Sequence, residues 1–258
     1  MTIQAQEPGF GLDSQRLRQS PFPLMSQTTA FHTFGTPETL HVDAAHWIET
    51  RLADALARRG KASLICSGGS TPGPVYRELS QIDLDWSKVS VGLADERWVD
   101  ASDEASNERL VRETLFQNKA AEAAFIPMKT AAASPFDAVE EVDALYRPIT
   151  SPVDVMVLGM GADGHTLSWF ADAKGLEEAM SPETGRNVAA IEAQKSKTTG
   201  DHTLRMTLTL PVVARARYIL LLMSGDKKRT VFERRDRSHP VTQMRRAAGD
   251  ALTIFSCS

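Results

Sequence analysis

From Phe31 onward, short apolar runs alternate with segments whose apolar residues recur at helical spacing, and this alternation limits the possible folds more than any other feature. Runs that suit buried strands lie at 31–34, 62–66, 89–93, 125–128, 153–158, 188–191, 204–210, 218–223 and 252–255. Helix-period stretches separate many of them, among them 107–117, 135–146, 230–235 and 241–247. The first helix has both its signals: Thr36 as N-cap with Pro37 at the first helical position, and Gly60 at the close. Its stripe of Leu40, Ala44, Trp47, Ile48, Leu52, Ala55 and Leu56 suits packing on a sheet. Strand–helix alternation of this kind predicts an α/β fold, a doubly wound and mostly parallel sheet with helices on both faces.

At 258 residues, with 42% hydrophobic and 24% charged side chains, the chain is long enough to bury a large core, and one α/β domain over 31–258 is expected. Residues 1–30 are polar, aperiodic and interrupted by Pro8, Pro21 and Pro23, so they read as a flexible arm, with Met25 a second candidate start. A net charge of −4 without a basic block argues against a nucleic-acid partner. The longest apolar run, Tyr218 to Met223, is far short of the ~20 residues that span a bilayer, and no segment reads as a secretory signal. Cys66 and Cys257 form neither a CxxC pair nor a disulfide framework. A cytoplasmic protein without membrane or metal partner is expected, either a monomer or a weak dimer.

Open parallel sheets bind ligands beyond the carboxyl ends of their strands, so the loops after the apolar runs are where chemistry is expected. After Cys66 comes Ser67-Gly68-Gly69-Ser70-Thr71-Pro72, leading into a helix. Its glycines permit a tight turn, its hydroxyls donate hydrogen bonds, and the helix N-terminus offers free N–H groups to an anion. An ordinary Gly- and Ser-rich turn accounts for this loop equally well. After Leu93 come Asp95, Glu96 and Arg97, then Ser106 and Asn107 at a helix start, and solvated loop charges are again the plain alternative.

The loop after Leu158 reads Gly159-Met160-Gly161-Ala162-Asp163-Gly164-His165-Thr166. It contains a formal GxGxxG, but Glu177 and Glu178 do not end a buried strand, as a dinucleotide site requires. What it does offer is an imidazole at a glycine turn with a carboxylate two residues away, which makes His165 the candidate general base and Asp163 its partner. None of the six histidines has a metal-binding spacing, and no cofactor is expected. Arg205 at a strand start and Lys228 after Gly225 are candidate phosphate-binding cations.

Six of these segments, in this order, resemble the 6-phosphogluconolactonase branch of the glucosamine-6-phosphate isomerase and 6-phosphogluconolactonase family. They are Gly68 to Pro72, Asp95 to Arg97, Ser106-Asn107, Gly161 to Thr166, Arg205 to Thr209, and Gly225 to Lys228. The deaminase branch usually carries Asp-Glu-Tyr and Phe-Asn-Glu-Pro where Arg97 and Thr166 to Phe170 stand here. Leu167, Trp169 and Ala171, and the absence of prolines just before Arg205, depart from the usual lactonase pattern.

The resemblance implies a fold like that of ribose-phosphate isomerases and CoA-transferases. It also implies hydrolysis of a small-molecule sugar-phosphate lactone, 6-phospho-D-glucono-1,5-lactone, in the second step of the oxidative pentose phosphate pathway. His165 and Asp163 would be catalytic; Gly68, Gly69, Ser70, Thr71, Asp95, Arg97, Asn107, Gly161, Arg205 and Lys228 would bind substrate. Two other readings stand beside it: a glucosamine-6-phosphate deaminase with Asp95 as proton shuttle, and a non-catalytic sugar-phosphate sensor.

Overall fold

The computed structural model describes residues 30–258; the arm expected at 1–30 lies outside the described residues apart from Ala30, which opens the first strand. The strands are β1 (Ala30–Phe34), β2 (Ala62–Cys66), β3 (Val89–Leu93), β4 (Asp95–Arg97), β5 (Ala124–Phe125), β6 (Val155–Gly159), β7 (Val188–Glu192), β8 (Leu204–Leu208), β9 (Tyr218–Ser224) and β10 (Leu252–Cys257). The helices are α1 (Pro37–Arg59), α2 (Pro72–Ser80), α3 (Asn107–Thr114), α4 (Pro135–Tyr146), α5 (Leu176–Met180), α6 (Leu210–Arg215), α7 (Asp226–Arg234) and α8 (Pro240–Ala248).

Seven strands form one sheet in the order β1-β10-β9-β6-β2-β3-β5, and every adjacent pair in it is parallel. The fold is therefore α/β with a parallel central sheet. From β2 the chain builds outward through β3 to β5, then returns to place β6 on the other side of β2. The strand order reverses between β2 and β6, and in an open sheet this is where the loops leave a crevice.

The central strands are buried and almost wholly apolar because helices cover them. All five residues of β2 are buried, and so are Val155 to Leu158 of β6 and Ile219 to Met223 of β9. Helix α1 begins and ends where its capping residues predict. Thr36 Oγ1 accepts from Thr39 N at 3.3 Å, and Gly60, at φ 69°, donates its N–H to Leu56 O at 2.8 Å. Its buried face is Leu40, Ala44, Ala45, Ile48, Leu52 and Ala55, packed on β1, β2, β6 and β10. Trp47 and Leu56, counted in the predicted stripe, are only partly buried at its rim.

A second sheet departs from the sequence reading. Strands β4, β8 and β7 form an antiparallel three-stranded sheet in that order. Asp95 to Arg97 read as a charged loop because the run has no apolar alternation, yet it pairs with Arg205 to Thr207, more than a hundred residues away. The run expected as one strand over 204–210 divides, with Leu210 and Pro211 opening α6.

Helix α4 packs on β7 and β8 and is stapled there by Asp143. The Asp143 carboxylate accepts from Asn187 N at 2.5 Å, from Asn187 Nδ2 at 3.0 Å and from Arg147 at 3.2 Å. Burial raises the Asp143 pKa, but these hydrogen bonds and the Arg147 charge outweigh it and hold the carboxyl below the usual aspartate range. Its stabilising contribution is thus present above that range and is lost as pH falls through the lowered value. Asp143→Ala should destabilise by roughly 1–3 kcal/mol at neutral pH, because a buried N–H loses its partner. In urea unfolding, the gap between wild type and variant should narrow below about pH 4; a gap constant to pH 2.5 would contradict this account.

Candidate active site

The loops after β2, β3, β6 and β9 leave the same edge of the parallel sheet and enclose one open cleft of about 260 Å³. Its walls include Gly68, Gly69, Ser70, Thr71, Asp95, Arg97, Asn107, Gly161, His165, Arg205 and Lys228, so all the predicted substrate-binding residues and the predicted base converge there. Asp163 does not line the cleft; it reaches it only through its contact with His165.

The imidazole is held from two sides. His165 Nδ1 lies 2.6 Å from Asp163 Oδ1, while the ring stacks on Phe170 with centroids 4.5 Å apart at 34°. The contact with a carboxylate, an acceptor, puts the proton on Nδ1 and leaves the Nε2 lone pair free. The Asp163 carboxyl loses solvation to burial, yet the hydrogen bond and charge of His165 outweigh that loss and hold its pKa below the ordinary aspartate value.

The turn carrying the pair needs glycine at its first position. A Cβ on Gly161 would overlap the Asp163 carboxylate and the His165 ring. Gly161 N also donates to His165 O at 2.9 Å, which closes the turn. The following residues are locked just as firmly. Thr166 Oγ1 donates to Gly159 O at 2.7 Å, Ser168 Oγ donates to Asp95 Oδ2 at 2.6 Å, and Trp169 Nε1 donates to Leu208 O at 3.0 Å. Trp169 is fully buried toward β8; of the residues that depart from the lactonase pattern, Leu167 lines the cleft, with its backbone left-handed at φ 52°.

The β2–α2 loop is anchored by buried groups beneath it. The Tyr76 hydroxyl donates to Ser67 O at 2.9 Å and accepts from Ser67 N at 3.0 Å, and Ser67 Oγ donates to Val157 O of β6 at 2.9 Å. A Cβ on Gly68 would collide with the Asn107 side chain, so that glycine lets α3 close against the loop. The loop then presents Ser70, Thr71 and the first turn of α2 to the cleft, opposite a cation, Lys228, from the first turn of α7. Cys66, beneath the loop, has its thiol pushed up to about 12 by burial and supplies no thiolate.

Glu96, which no sequence signal marks as a site residue, organises the β4 side. Its Oε1 accepts from Arg97 N at 2.7 Å and Asn107 N at 2.8 Å; its Oε2 accepts from Glu108 N at 2.7 Å and Ser106 Oγ at 3.0 Å. One carboxylate therefore caps α3 and sets the backbone on either side of Arg97. Burial pushes Glu96 up to about 7 against these four bonds. Asp95, already engaged by Ser168, also has its carbonyl oxygen accepting from Asn107 Nδ2 at 2.8 Å.

Arg205 is a wall of the cleft and a strut at once. Nε donates to His202 O at 2.8 Å, a terminal nitrogen donates to Thr199 O at 3.3 Å, and the guanidinium lies 5.3 Å from the Phe170 ring. Burial pushes it down to about 10, so it remains a cation at neutral pH. Arg97 donates to Ala105 O, and its Nε is buried without a partner among the described residues. Leu167 and Phe170, which the sequence comparison of the two branches names without giving them a role, also line the cleft, and so do Thr198 and Leu222, which no motif distinguishes from ordinary loop and core residues. Among the described residues no three His, Cys, Asp or Glu side chains cluster as a metal site, and no helix is long and apolar enough to cross a membrane.

The family model for glucosamine-6-phosphate isomerases/6-phosphogluconolactonase matches residues 35–252. The chain belongs to this family. Among its relatives in the family, the 6-phosphogluconolactonase of Rhizobium meliloti is 40% identical over 229 residues, covering 87% of this chain and 97% of that protein. The 6-phosphogluconolactonase of Pseudomonas aeruginosa is 43% identical over 178 residues, covering 69% and 73%. Among solved members, the crystal structure of a 6-phosphogluconolactonase from Shewanella baltica superposes with a TM-score of 0.79 at 37% identity, covering 89% of this chain and 98% of that one.

Gly161→Ala tests the packing of the histidine turn. The downfield Nδ1 proton resonance of His165, expected from its contact with Asp163, should vanish in the variant while the far-UV spectrum is kept; an unaltered resonance would show that the turn tolerates a side chain.

Proposed function

We propose that this cleft binds 6-phospho-D-glucono-1,5-lactone and hydrolyses it to 6-phospho-D-gluconate, with His165 as the proton-transfer group. The observation that carries the reading is the Asp163–His165 pair, 2.6 Å apart, in a cleft whose other walls suit a phosphate. The relatives' shared name supports the same substrate.

A lactone is an activated ester, so water can attack its carbonyl carbon without a covalent nucleophile. Nε2 of His165 removes a proton from that water as the carbon–oxygen bond forms, and Asp163 stabilises the imidazolium that results. Collapse of the tetrahedral intermediate breaks the bond to the ring oxygen, which takes the proton back from Nε2. The new carboxyl group ionises and releases one proton per turnover. Arg97 and Arg205 are the cations available to the developing oxyanion. Gly69, Ser70, Thr71, the start of α2 and Lys228 hold the 6-phosphate, so remote binding energy positions the carbonyl.

Proton release from freshly generated lactone, corrected for spontaneous opening, tests the reading. His165→Ala should lower kcat by about 10² to 10⁴ with KM little changed. A wild type no faster than the blank would refute the function, and a fully active His165→Ala would refute the role of the imidazole. Lys228→Ala should chiefly raise KM.

The pH profile gives a further check. Because Asp163 is held below the ordinary aspartate value, it stays ionised through the mildly acidic range, whereas Glu96, pushed up to about 7 by burial, takes up a proton there. kcat/KM should fall as pH drops below about 7, and the fall should set in at a different pH in Glu96→Gln, which removes this proton uptake. Identical profiles for the two proteins would show that Glu96 plays no part in the pH dependence.

A further inference from the structure

The hairpin of α7 and α8 has a charge opposite to that of the chain. Residues 226–248 contain eight Lys and Arg against three Asp and Glu, whereas the whole chain has a net charge of −4. Most of these cations are not used in ion pairs. Lys227, Arg234, Arg235 and Arg237 are exposed, and none of the four meets a carboxylate among the described residues, where the hairpin's ion pair is Arg229 with Glu233. Arg245 is pushed down by burial and then by the neighbouring charge of Arg235, so the cluster includes mutual repulsion that stability alone would disfavour.

The hairpin is also fastened to the site. Its first turn puts Lys228 into the cleft wall. At its other end, Val241 N donates to Gly164 O at 3.0 Å, and the His239 ring packs so closely on Gly164 that a Cβ there would overlap it. Gly164 is the residue before His165. The connection bearing Arg235 and Arg237 therefore lies against the catalytic turn.

We infer that this hairpin is an electrostatic guide that draws the dianionic phosphate of the substrate toward Lys228 and raises the rate of productive encounter. The inference rests on the sugar-phosphate reading of the cleft. A phosphate monoester carries close to two negative charges at neutral pH, and a field of one sign beside a cleft can raise association rates by 10-fold or more at low salt. At about 0.15 M salt the screening length is about 8 Å, so the exposed arginines act strongly only when salt is low.

The test is the salt dependence of kcat/KM from 10 to 500 mM NaCl, for wild type and for the variant Arg234→Gln, Arg235→Gln, Arg237→Gln. Wild-type kcat/KM should fall with salt. The variant should be about three- to tenfold slower at 10 mM, converge on wild type at 500 mM, and keep the wild-type kcat throughout. Equal salt slopes for the two proteins, or a loss in kcat that salt does not remove, would overturn the guide. A wild type without lactonase activity would instead refute the reading of the cleft, so the two failures are distinguishable. If the triple variant does not fold, Arg237→Gln alone still decides, since it should reduce the salt slope by a measurable fraction, and an unchanged slope counts against the guide.

Discussion

Parallel pairing of β2 with β3 on one side and β6 on the other is the constraint from which the site follows. Parallel strands deliver all their carboxyl ends to one edge, and the reversal of strand order between β2 and β6 parts the loops there into a crevice. The glycine-rich loop, the acidic–basic strand, the histidine turn and the lysine helix then meet without any of them being near another in sequence. Helices covering the sheet, of which α1 with its fully buried Leu40, Ile48 and Leu52 is the longest, keep the edge rigid enough for hydrogen bonds of 2.6–3.0 Å to define the cleft.

Buried polar groups turn that crevice into a chemical site. Glu96 satisfies three backbone N–H groups and one hydroxyl, Tyr76 both donates to and accepts from Ser67, and Asp95 joins the β4 side to the segment after His165 through Ser168. Each is a buried polar side chain whose partners are backbone or neighbouring site groups, and losing one would leave a desolvated partner unpaired. This engagement also distinguishes the surroundings of the acids. Asp95 is held by Ser168 and Asn107, whereas Asp163 contacts His165, an imidazole of the cleft wall. Phe170 packs against both the His165 ring and the Arg205 guanidinium, which ties the two sides of the cleft together through one apolar side chain.

Local signals in the sequence were enough for the α/β class, the capped first helix, the helix-period segments and the six motifs, because capping, periodicity and glycine turns act over a few residues. On those grounds the polar residues expected to bind substrate were legible as a set, although Thr198 and Leu222 of the lining were not. The antiparallel sheet was not, since β4 is three charged residues whose partner strand lies more than a hundred positions on, and no local pattern encodes a long-range pairing. Nor was the work of Glu96, which looks like one more loop charge until α3 is brought against it. Arg205 was legible as a cation at the site but not as a strut, because its carbonyl partners come from the loop between β7 and β8. The identities of the groups were determined by the sequence; the burial that shifts their proton affinities and the distances that make them partners were decided only by the tertiary structure, because both depend on contacts between segments remote along the chain.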